Sequence, residues 1–350
     1  MRSLFKRLGI SLLWGAFILC SCDDLPKGVE TSEIPEYYFA GQYLDHRAAA
    51  IVEAMSECSG YGESFFWITD IHWEPELNMR KSPLLIKYLS SKTGINTVLN
   101  GGDTGNSLVI CRNAISQLRK AIGSNRVNTV TGNHEIVDAT RYETPFERVA
   151  NVLRGHNTDI VYGDRDKSYF FMDDEKGKTR FIGLSSFGLF FNGQCETCYT
   201  EEQLTWFKDT ALNVETGWTI VVFTHSLYAV NTSDKLYKSP IGADRFIDAI
   251  DHYKGKGTIA CVLIGHSHRD RIHIGSSSVP YIISACDRLA AYHGDINVDR
   301  APGTVSEQHF EVVVMDKVNR IIKLFSIGAP ARDGYEDDPG MEVDVRIVNY

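Results

Sequence analysis

Five short apolar runs along this chain each end in a loop that carries an aspartate, an asparagine or a histidine. The runs are rich in β-branched and aromatic residues, which is typical of buried strands. The loops are Asp70-Ile71-His72, Gly102-Asp103, Gly132-Asn133-His134, Thr224-His225 and Gly265-His266-Ser267-His268. Because open α/β sheets bind ligands at the carboxyl ends of their strands, the pattern predicts an α/β domain with a polar site at that edge.

Two of these loops hold their polar residues two positions apart, as Asp70-x-His72 and His266-x-His268. On an extended segment, side chains two residues apart point to the same face, so we expect each pair to point into one site. A single Asp at a strand end is usually a turn former or a helix cap. Five such loops, each directly after an apolar run, favour a shared site instead.

In this order, the loops resemble the motifs of the calcineurin-like metallophosphoesterase superfamily, and the resemblance covers about residues 65–325. It implies an α/β fold, a four-layer α-β-β-α sandwich with two mixed β-sheets and a dinuclear metal site at the strand ends. It also implies a metal-dependent phosphoesterase that hydrolyses phosphomonoesters or phosphodiesters. The attacking group would be a hydroxide that bridges the two metal ions.

The same resemblance implies two groups of metal ligands that share one bridging carboxylate, Asp103. The first group is Asp70, His72, Asp103 and His268. The second group is Asp103, Asn133, His225 and His266. Carboxylate, amide and imidazole ligands suit Mn, Zn or Fe better than soft ions that prefer thiolate. We therefore expect two divalent or trivalent metal ions from this set as cofactors.

His134 follows the predicted ligand Asn133, and the resemblance makes it a catalytic residue rather than a ligand. It would hydrogen-bond the phosphoryl oxygen or protonate the leaving group, which suits a side chain whose charge changes near neutral pH. We interpret Glu135 and Asp287 as partners that orient ligand imidazoles.

One position departs from a branch of the superfamily. Purple acid phosphatases carry a ligand tyrosine three residues after the bridging aspartate, and this chain has Asn106 there. The tyrosinate–iron colour is therefore not expected.

Several aromatic residues lie near the ligand loops, and we interpret them as core residues, with stacking on a substrate ring as the alternative. They are Trp73, Phe187, Phe190, Phe191 and Tyr228.

Two other functions are compatible with parts of the sequence. A metal-stabilised lipoprotein could bind a phosphorylated ligand without turning it over, although the full ligand set and His134 favour catalysis. Cys195 and Cys198 form a Cys-x-x-Cys loop that we interpret as a disulfide, and the alternatives are a redox pair or half of a zinc site. No second Cys-x-x-Cys accompanies it in the sequence.

The first residues are typical of an exported bacterial lipoprotein. Basic residues precede the largely apolar run Ile10–Leu19, which at about 1.5 Å per residue is too short to span a bilayer and indicates a secretory signal peptide. Leu19-Cys20-Ser21-Cys22 resembles a lipobox, which implies cleavage before Cys22 and lipidation of its thiol. We therefore predict export and anchoring on a periplasmic or cell-surface membrane face.

These observations divide the chain into four parts. They are a signal peptide at residues 1–21, a tether at 22–36, a metallophosphoesterase domain at 37–330 and a C-terminal tail at 331–350. The net charge of −9 argues against binding of extended nucleic acid across a broad basic face. Two metal dications would still make the site attractive to phosphate. The expected partners are a small phosphorylated substrate and, through the lipid anchor, a membrane; the sequence carries no signal for an oligomeric state.

Overall fold

The computed structural model of the protein describes most of the chain after residue 33. The described ranges are 34–60, 62–73, 81–136, 146–189, 195–228, 230–231, 236–287, 300–332 and 342–350. The predicted signal peptide, the lipidation site Cys22 and most of the tether lie outside these ranges and stay predictions. Within the described ranges, no helix combines the length and the apolar character that a membrane span requires.

Two large mixed sheets carry the fold. The first sheet has six strands. In order across the sheet they are β19 (Val345–Asn349), β16 (Ile321–Gly328), β15 (His309–Asp316), β1 (Glu63–Ile68), β2 (Val98–Asn100) and β3 (Val127–Thr129). Strands β1, β2 and β3 pair in parallel, whereas the other three add in antiparallel fashion. The carboxyl ends of β1 to β3 therefore meet at one edge.

The second sheet has seven strands. In order they are β13 (Arg271–Ile274), β14 (Pro280–Ile283), β12 (Thr258–Ile264), β9 (Thr219–Thr224), β6 (Thr179–Leu184), β5 (Phe170–Asp174) and β4 (Ile160–Tyr162). The four central strands, from β14 to β6, are parallel. Three short pairs complete the strands. They are β7 (Phe187–Leu189) with β8 (Cys195–Thr197), β10 (Val230–Asn231) with β11 (Leu236–Tyr237), and β17 (Ala331–Arg332) with β18 (Glu342–Val343).

Helices cover the outer face of each sheet. Those on the first sheet are Tyr43–Glu57, Lys81–Thr93, Leu108–Ile122 and Phe146–Arg154. Those on the second are Glu201–Trp206, which continues as the π-helix Phe207–Ala211, and Ala243–Asp251. Short 3₁₀ helices lie at Glu36–Tyr38, Ala40–Gln42 and Val305–Glu307. A third core lies between the two sheets, so the predicted four-layer α-β-β-α sandwich is confirmed.

Alternation along β1 explains how one strand serves two cores. Phe65 and Trp67 point between the sheets, while Phe66 and Ile68 point toward the helices. Both faces are buried from Phe65 onward, which is why the strand is apolar from Phe65 to Ile68. Phe65 meets Phe181 of the other sheet edge-to-face at 5.4 Å between ring centroids. Such aromatic pairs contribute about 0.5–1.5 kcal/mol beyond burial and help to hold the sheets together.

The helix Leu108–Ile122 begins soon after the loop that follows β2. Its N-terminus is capped by Ser107, whose Oγ accepts a hydrogen bond from the backbone N–H of Ile110 at 3.3 Å. It ends at Gly123, which has a φ of 60°, a left-handed value that suits glycine. Its apolar residues recur every three or four positions and face the core.

The first sheet continues past residue 330, where we predicted the domain to end. Strand β19 pairs with β16 and places Arg346 opposite Leu324. Arg346 and Val348 point inward and are 2% and 5% exposed, whereas Ile347 points outward and is 64% exposed. Part of the predicted C-terminal tail is therefore an edge strand, which its β-branched residues favour.

Candidate metal centre

The carboxyl ends of five parallel strands carry all seven predicted ligands. Three of these strands, β1, β2 and β3, belong to the first sheet, and the other two, β9 and β12, belong to the second. Hydrogen bonds across the two sheets join these ends. The Nδ1 of His225 lies 2.7 Å from the carbonyl oxygen of Gly101, and the backbone N–H of His266 donates to Asp70 Oδ2 at 2.8 Å. The five loops therefore converge on one site.

The first group of predicted ligands forms a tight cluster. Ligand atoms of Asp70, His72 and His268 all lie within 4.8 Å of one another. The Nε2 atoms of His72 and His268 are 3.2 Å apart. The Nε2 of His268 is also 3.2 Å from Asp70 Oδ1. These three side chains thus aim their donor atoms at one point.

The second group lies beside the first and is linked to it by Asp103. Ligand atoms of Asp103, His225 and His266 lie within 4.8 Å of one another. The Nε2 of His225 is 3.2 Å from Asn133 Oδ1 and 3.4 Å from Asp103 Oδ2. The same Asp103 oxygen is 4.0 Å from the Nε2 of His72 in the first group. Asp103 therefore lies where a carboxylate shared by two ions has to lie.

The distances between the donor atoms and the surroundings of the Asp70 carboxylate fit metal binding. Two ligands that are each about 2.0–2.1 Å from one ion lie about 2.8–3.4 Å apart at octahedral or tetrahedral angles. Asp70 Oδ2 accepts hydrogen bonds from Thr69 Oγ1 and from the N–H of His266, at 2.7 and 2.8 Å. Asp70 Oδ1 is buried and faces the Nε2 of His268 at 3.2 Å. Because a buried carboxylate needs a positive partner, an ion could replace the proton of His268 beside this atom.

The ligand loops have an unusual backbone. Five of the predicted ligands have a positive φ, between 45° and 67°. They are Asp70, His72, Asp103, His266 and His268. Our expectation that alternation along an extended segment aligns each Asp-x-His or His-x-His pair is therefore wrong, because both members of each pair adopt the left-handed conformation. This conformation costs a non-glycine residue about 1–3 kcal/mol and persists only where neighbouring structure enforces it.

Comparison with known proteins identifies the family. A sequence profile of the calcineurin-like phosphoesterases matches residues 64–270, a span that contains every predicted ligand. The chain belongs to this family. No curated protein sequence matches the chain.

Two of the solved structures that match the chain are phosphatases. A purple acid phosphatase from yellow lupin seeds has a TM-score of 0.51 at 12% identity, and the match covers 83% of this phosphoesterase-family chain and 54% of the lupin chain. A dimetal phosphatase from Danio rerio has a TM-score of 0.47 at 14% identity, and the match covers 82% and 98% of the two chains. The likeness to the lupin protein supports the sandwich fold.

In this phosphoesterase-family member, His134 lies at the rim of the site. Its Nδ1 is 2.5 Å from Asn106 Oδ1, and its Nε2 is 3.7 Å from Asp103 Oδ2. Its side chain is 39% exposed, whereas His225 is fully buried. A ring nitrogen of His134 also lies within 4.8 Å of ligand atoms of His72 and Asp103, so geometry alone permits a role as a ligand. The hydrogen bond to Asn106 and the exposure favour contact with a substrate.

Glu135 binds the backbone of two ligand loops rather than an imidazole. Its carboxylate accepts hydrogen bonds from the N–H groups of Asp103, Thr104 and Gly132, at 3.1, 2.5 and 2.8 Å. Burial, followed by the charge of Asp103, raises the pKa of Glu135. Our expectation that Glu135 orients a ligand imidazole is therefore wrong. It holds the Asp103 loop against the Gly132 loop instead.

Asp287 also contacts no ligand imidazole. Its Oδ1 accepts hydrogen bonds from Ser82 Oγ at 2.5 Å and from the N–H of His309 at 3.4 Å. Its own N–H donates to the carbonyl oxygen of Thr69 at 3.0 Å. The predicted orienting role is wrong for Asp287 as well, and its backbone instead fixes the segment just before Asp70.

Charges within the cluster favour metal binding by some ligands and protonation by others. Burial raises the pKa of the Asp70 and Asp103 carboxyls, but the nearby His225 charge and other histidines outweigh it and lower both. Burial lowers the pKa of His72 and His266 to about 4, so both imidazoles are neutral at pH 7. Ionised carboxylates and neutral imidazoles are the forms that bind metal ions.

The other two histidines hold protons in the metal-free site. Burial lowers the pKa of His225, but Asp103 and Asp70 outweigh burial and raise it to about 9. Burial also lowers the pKa of His268, but the interactions with Cys286 and Asp70 outweigh burial and raise this pKa above its ordinary value. An ion entering the site would have to displace these protons.

The aromatic residues near the site differ in what they can contact. Trp73 and Phe187 are 2% and 6% exposed, so they are core residues as we interpreted them. Tyr228 is half-buried and packs against His273 with 5.9 Å between ring centroids. Phe190 and Phe191 lie outside the described residues, as does the side chain of Cys195, so the Cys195–Cys198 disulfide stays a prediction.

Proposed function

We propose that this protein is a metal-dependent phosphoesterase with a dinuclear centre. The observation that carries the proposal is the position of Asp103, whose Oδ2 faces His225 at 3.4 Å and His72 at 4.0 Å. One ion would be held by Asp70, His72, Asp103 and His268. The other would be held by Asp103, Asn133, His225 and His266. The donors suit Mn, Zn or Fe.

Two bound ions would supply a hydroxide nucleophile near neutral pH and would neutralise charge on the phosphoryl oxygens. The side chains of the protein supply the rest of the proposed reaction. His134 would direct Nε2 at a phosphoryl oxygen or at the leaving group, where it donates a proton. Asn106 would keep that nitrogen oriented. Asp103 would not attack phosphorus, because its Oδ1 accepts the N–H of His134 at 2.9 Å and its Oδ2 faces the ligands.

The charge of the site supports a phosphorylated substrate. Asp70 and Asp103 bring two negative charges, and two dications would more than balance them. A positive pocket would then attract phosphate even though the chain has a net charge of −9. Phosphomonoesters and phosphodiesters both satisfy this requirement.

The proposal is tested with protein stripped by a chelator and reloaded with Mn, Zn or Fe. The substrates are p-nitrophenyl phosphate, bis-p-nitrophenyl phosphate, nucleotides and phospholipids. We expect turnover that chelation abolishes and metal restores, and the ratio of the two nitrophenyl rates assigns monoester or diester preference. Asp103→Asn serves as the inactive reference. Protein that holds two ions yet hydrolyses none of these esters would contradict the proposal and favour binding without turnover.

A further inference from the structure

A buried cluster of charged side chains lies behind the loop that carries His266 and His268. It consists of Asp270, His309, Glu311 and Arg346, whose side chains are each 1% exposed or less. The cluster joins the two sheets. Glu311 lies on β15 and Arg346 on β19 of the first sheet, while Asp270 directly precedes β13 of the second.

Arg346 contacts both carboxylates of this cluster. Its Nη2 donates to Glu311 Oε1 and lies 3.7 Å from Asp270 Oδ1. The Nε2 of His309 lies 3.5 Å from the same Asp270 oxygen. Burial lowers the pKa of His309, but Asp270 outweighs burial and raises it. Two carboxylates thus face one arginine and one histidine that tends to be protonated, which balances the buried charge.

The cluster is a poor metal site in spite of its composition. Ligand atoms of Asp270, His309 and Glu311 lie within 4.8 Å of one another, as in the groups of the candidate centre. A guanidinium already lies against both carboxylates, so a metal ion would be placed beside a fixed positive charge. The geometry instead suits a clamp that holds Asp270 in place.

Asp270 connects the clamp to the ligand loop. It lies two residues after His268, and its Oδ1 accepts a hydrogen bond from the N–H of Ala285 at 3.1 Å. The neighbouring Ser284 donates to Glu311 Oε2 at 2.8 Å and accepts from Trp67 Nε1 at 2.8 Å. The residue after the loop and the end of the neighbouring strand β14 are therefore tied to the first sheet through the cluster.

The ligand loop needs such support because its backbone is unfavourable. His266 and His268 have φ values of 67° and 57°, in the left-handed region. The N–H of His266 is bound by Asp70 Oδ2 at 2.8 Å, close to the end of β12. His268 lies farther from the strand and nearer to Asp270. A loss of the clamp should therefore displace His268 more than His266.

We propose that Arg346 is a positioning residue for the predicted metal ligand His268, and that it acts through Asp270. The C-terminal strand β19 would then support the metal centre in addition to forming the edge of the sheet. This inference rests on the proposed function, because it assumes that His268 binds an ion. Removing partners that orient metal ligands weakens metal affinity by about 10- to 100-fold in other proteins.

The test uses full-length protein and titrations with Mn²⁺ followed by electron paramagnetic resonance, or with Co²⁺ followed by its visible absorption. Arg346→Met removes the charge, Arg346→Lys retains it, and Arg346→Met with Glu311→Gln removes one charge of each sign. Ile347→Thr is the matched control, because Ile347 lies on the same strand and points to solvent. His268→Ala identifies which binding step belongs to His268.

Arg346→Met should weaken the binding step that is lost in His268→Ala by about 10-fold or more, and the other step by much less. The double variant should be more stable to heat than Arg346→Met, but its affinity at the His268 binding step should stay low. Arg346→Lys should retain part of that affinity. Ile347→Thr should match the wild type in both measurements. If Arg346→Met does not fold, the double variant and Arg346→Lys carry the comparison. Equal weakening of both steps, or recovery of affinity in the double variant, would overturn the positioning role.

Metal binding and hydrolysis by the wild-type protein distinguish failure of this inference from failure of the proposed function. Wild-type protein that binds two ions but hydrolyses no phosphoester would contradict the proposed function alone, because the metal titrations would still decide the role of Arg346. Wild-type protein that binds no metal ion would overturn both.

Discussion

The Nδ1 of His134 lies 2.5 Å from the Oδ1 of Asn106. An amide oxygen only accepts hydrogen bonds, so the Nδ1–H of His134 donates to it, and the proton that His134 transfers is carried by Nε2, which is turned toward the metal centre. The partner is neutral, in contrast to the carboxylates that surround the buried histidines. Asn106 therefore orients the imidazole without adding negative charge to a site that has to attract phosphate.

His134→Ala should retain both metal ions and lose turnover by about 10²- to 10⁴-fold, the range that general acid catalysis contributes. Metal content by mass spectrometry and kcat with phenyl phosphate check the two parts. The loss should be smaller with p-nitrophenyl phosphate, because its leaving group needs less help from a proton. Loss of one ion in this variant would instead make His134 a ligand.

Asn106→Ala should lower kcat in the same leaving-group-dependent way, but by less than His134→Ala, because the imidazole is present and only its orientation is lost. Arg112→Ala, at an exposed position of the next helix, is the control. If Asn106→Ala slowed phenyl and p-nitrophenyl esters equally, Asn106 would not act through proton transfer by His134.

Asp103→Asn should weaken both metal ions together, because one carboxylate oxygen faces both ligand groups. Asn133→Ala should weaken only the ion beside His225, which lies 3.2 Å from the Asn133 amide oxygen. Titrations that resolve two binding steps check this difference. Two tightly held ions in Asp103→Asn, or equal losses in Asn133→Ala, would contradict the bridging arrangement.

Much of the fold and the position of the site could be predicted from the sequence, because each ligand directly follows an apolar strand and strand ends of a parallel sheet converge. The left-handed backbone of Asp70 and His72 could not, because it depends on hydrogen bonds to the neighbouring loop. The N–H of Asp70 donates to Gly102, and that of His72 to Asp103, at 3.0 and 2.8 Å.

The support of the site was harder to predict than its ligands. Arg346 lies 76 positions after Asp270 in the sequence, and only the pairing of β19 with β16 brings them together. The local sequence around Arg346 predicts a strand, but it does not identify the strand with which this one pairs. Glu135 was recognised as part of the site, but its binding to three backbone N–H groups depends on how two separate loops meet.

Metal binding at pH 7 should release the protons that His225 and His268 hold, in addition to any proton that a metal-bound water gives up. His225 has a pKa raised to about 9, and the pKa of His268 is also raised, so both imidazoles are protonated in the metal-free site. A metal ligand must give up that proton. Calorimetric titration in buffers of different ionisation enthalpy measures the number directly. Release that does not fall in His225→Asn would contradict this origin.

The carboxyl group of Asp287 should make the metal-free protein less stable as pH rises from about 4 to about 6. The side chain is fully buried, and its Oδ2 has no hydrogen-bond partner. Burial outweighs Ser82 and Arg300 and raises its pKa from 3.8 to about 6. Between these values the folded protein binds more protons than the unfolded chain, so stability falls with pH and the full cost is present above pH 6.

Asp287→Asn removes this titration, because an amide does not ionise. The free energy of unfolding of the variant, relative to wild type, should therefore rise between pH 4 and pH 7 by up to about 3 kcal/mol, which is the free energy of a shift of two pKa units. Urea unfolding of chelated protein at several pH values measures the difference. Asp209→Asn, which changes an exposed carboxylate, is the control variant. A difference for Asp287→Asn that stays constant with pH would mean that the buried carboxyl ionises as easily in the folded protein as in the unfolded chain.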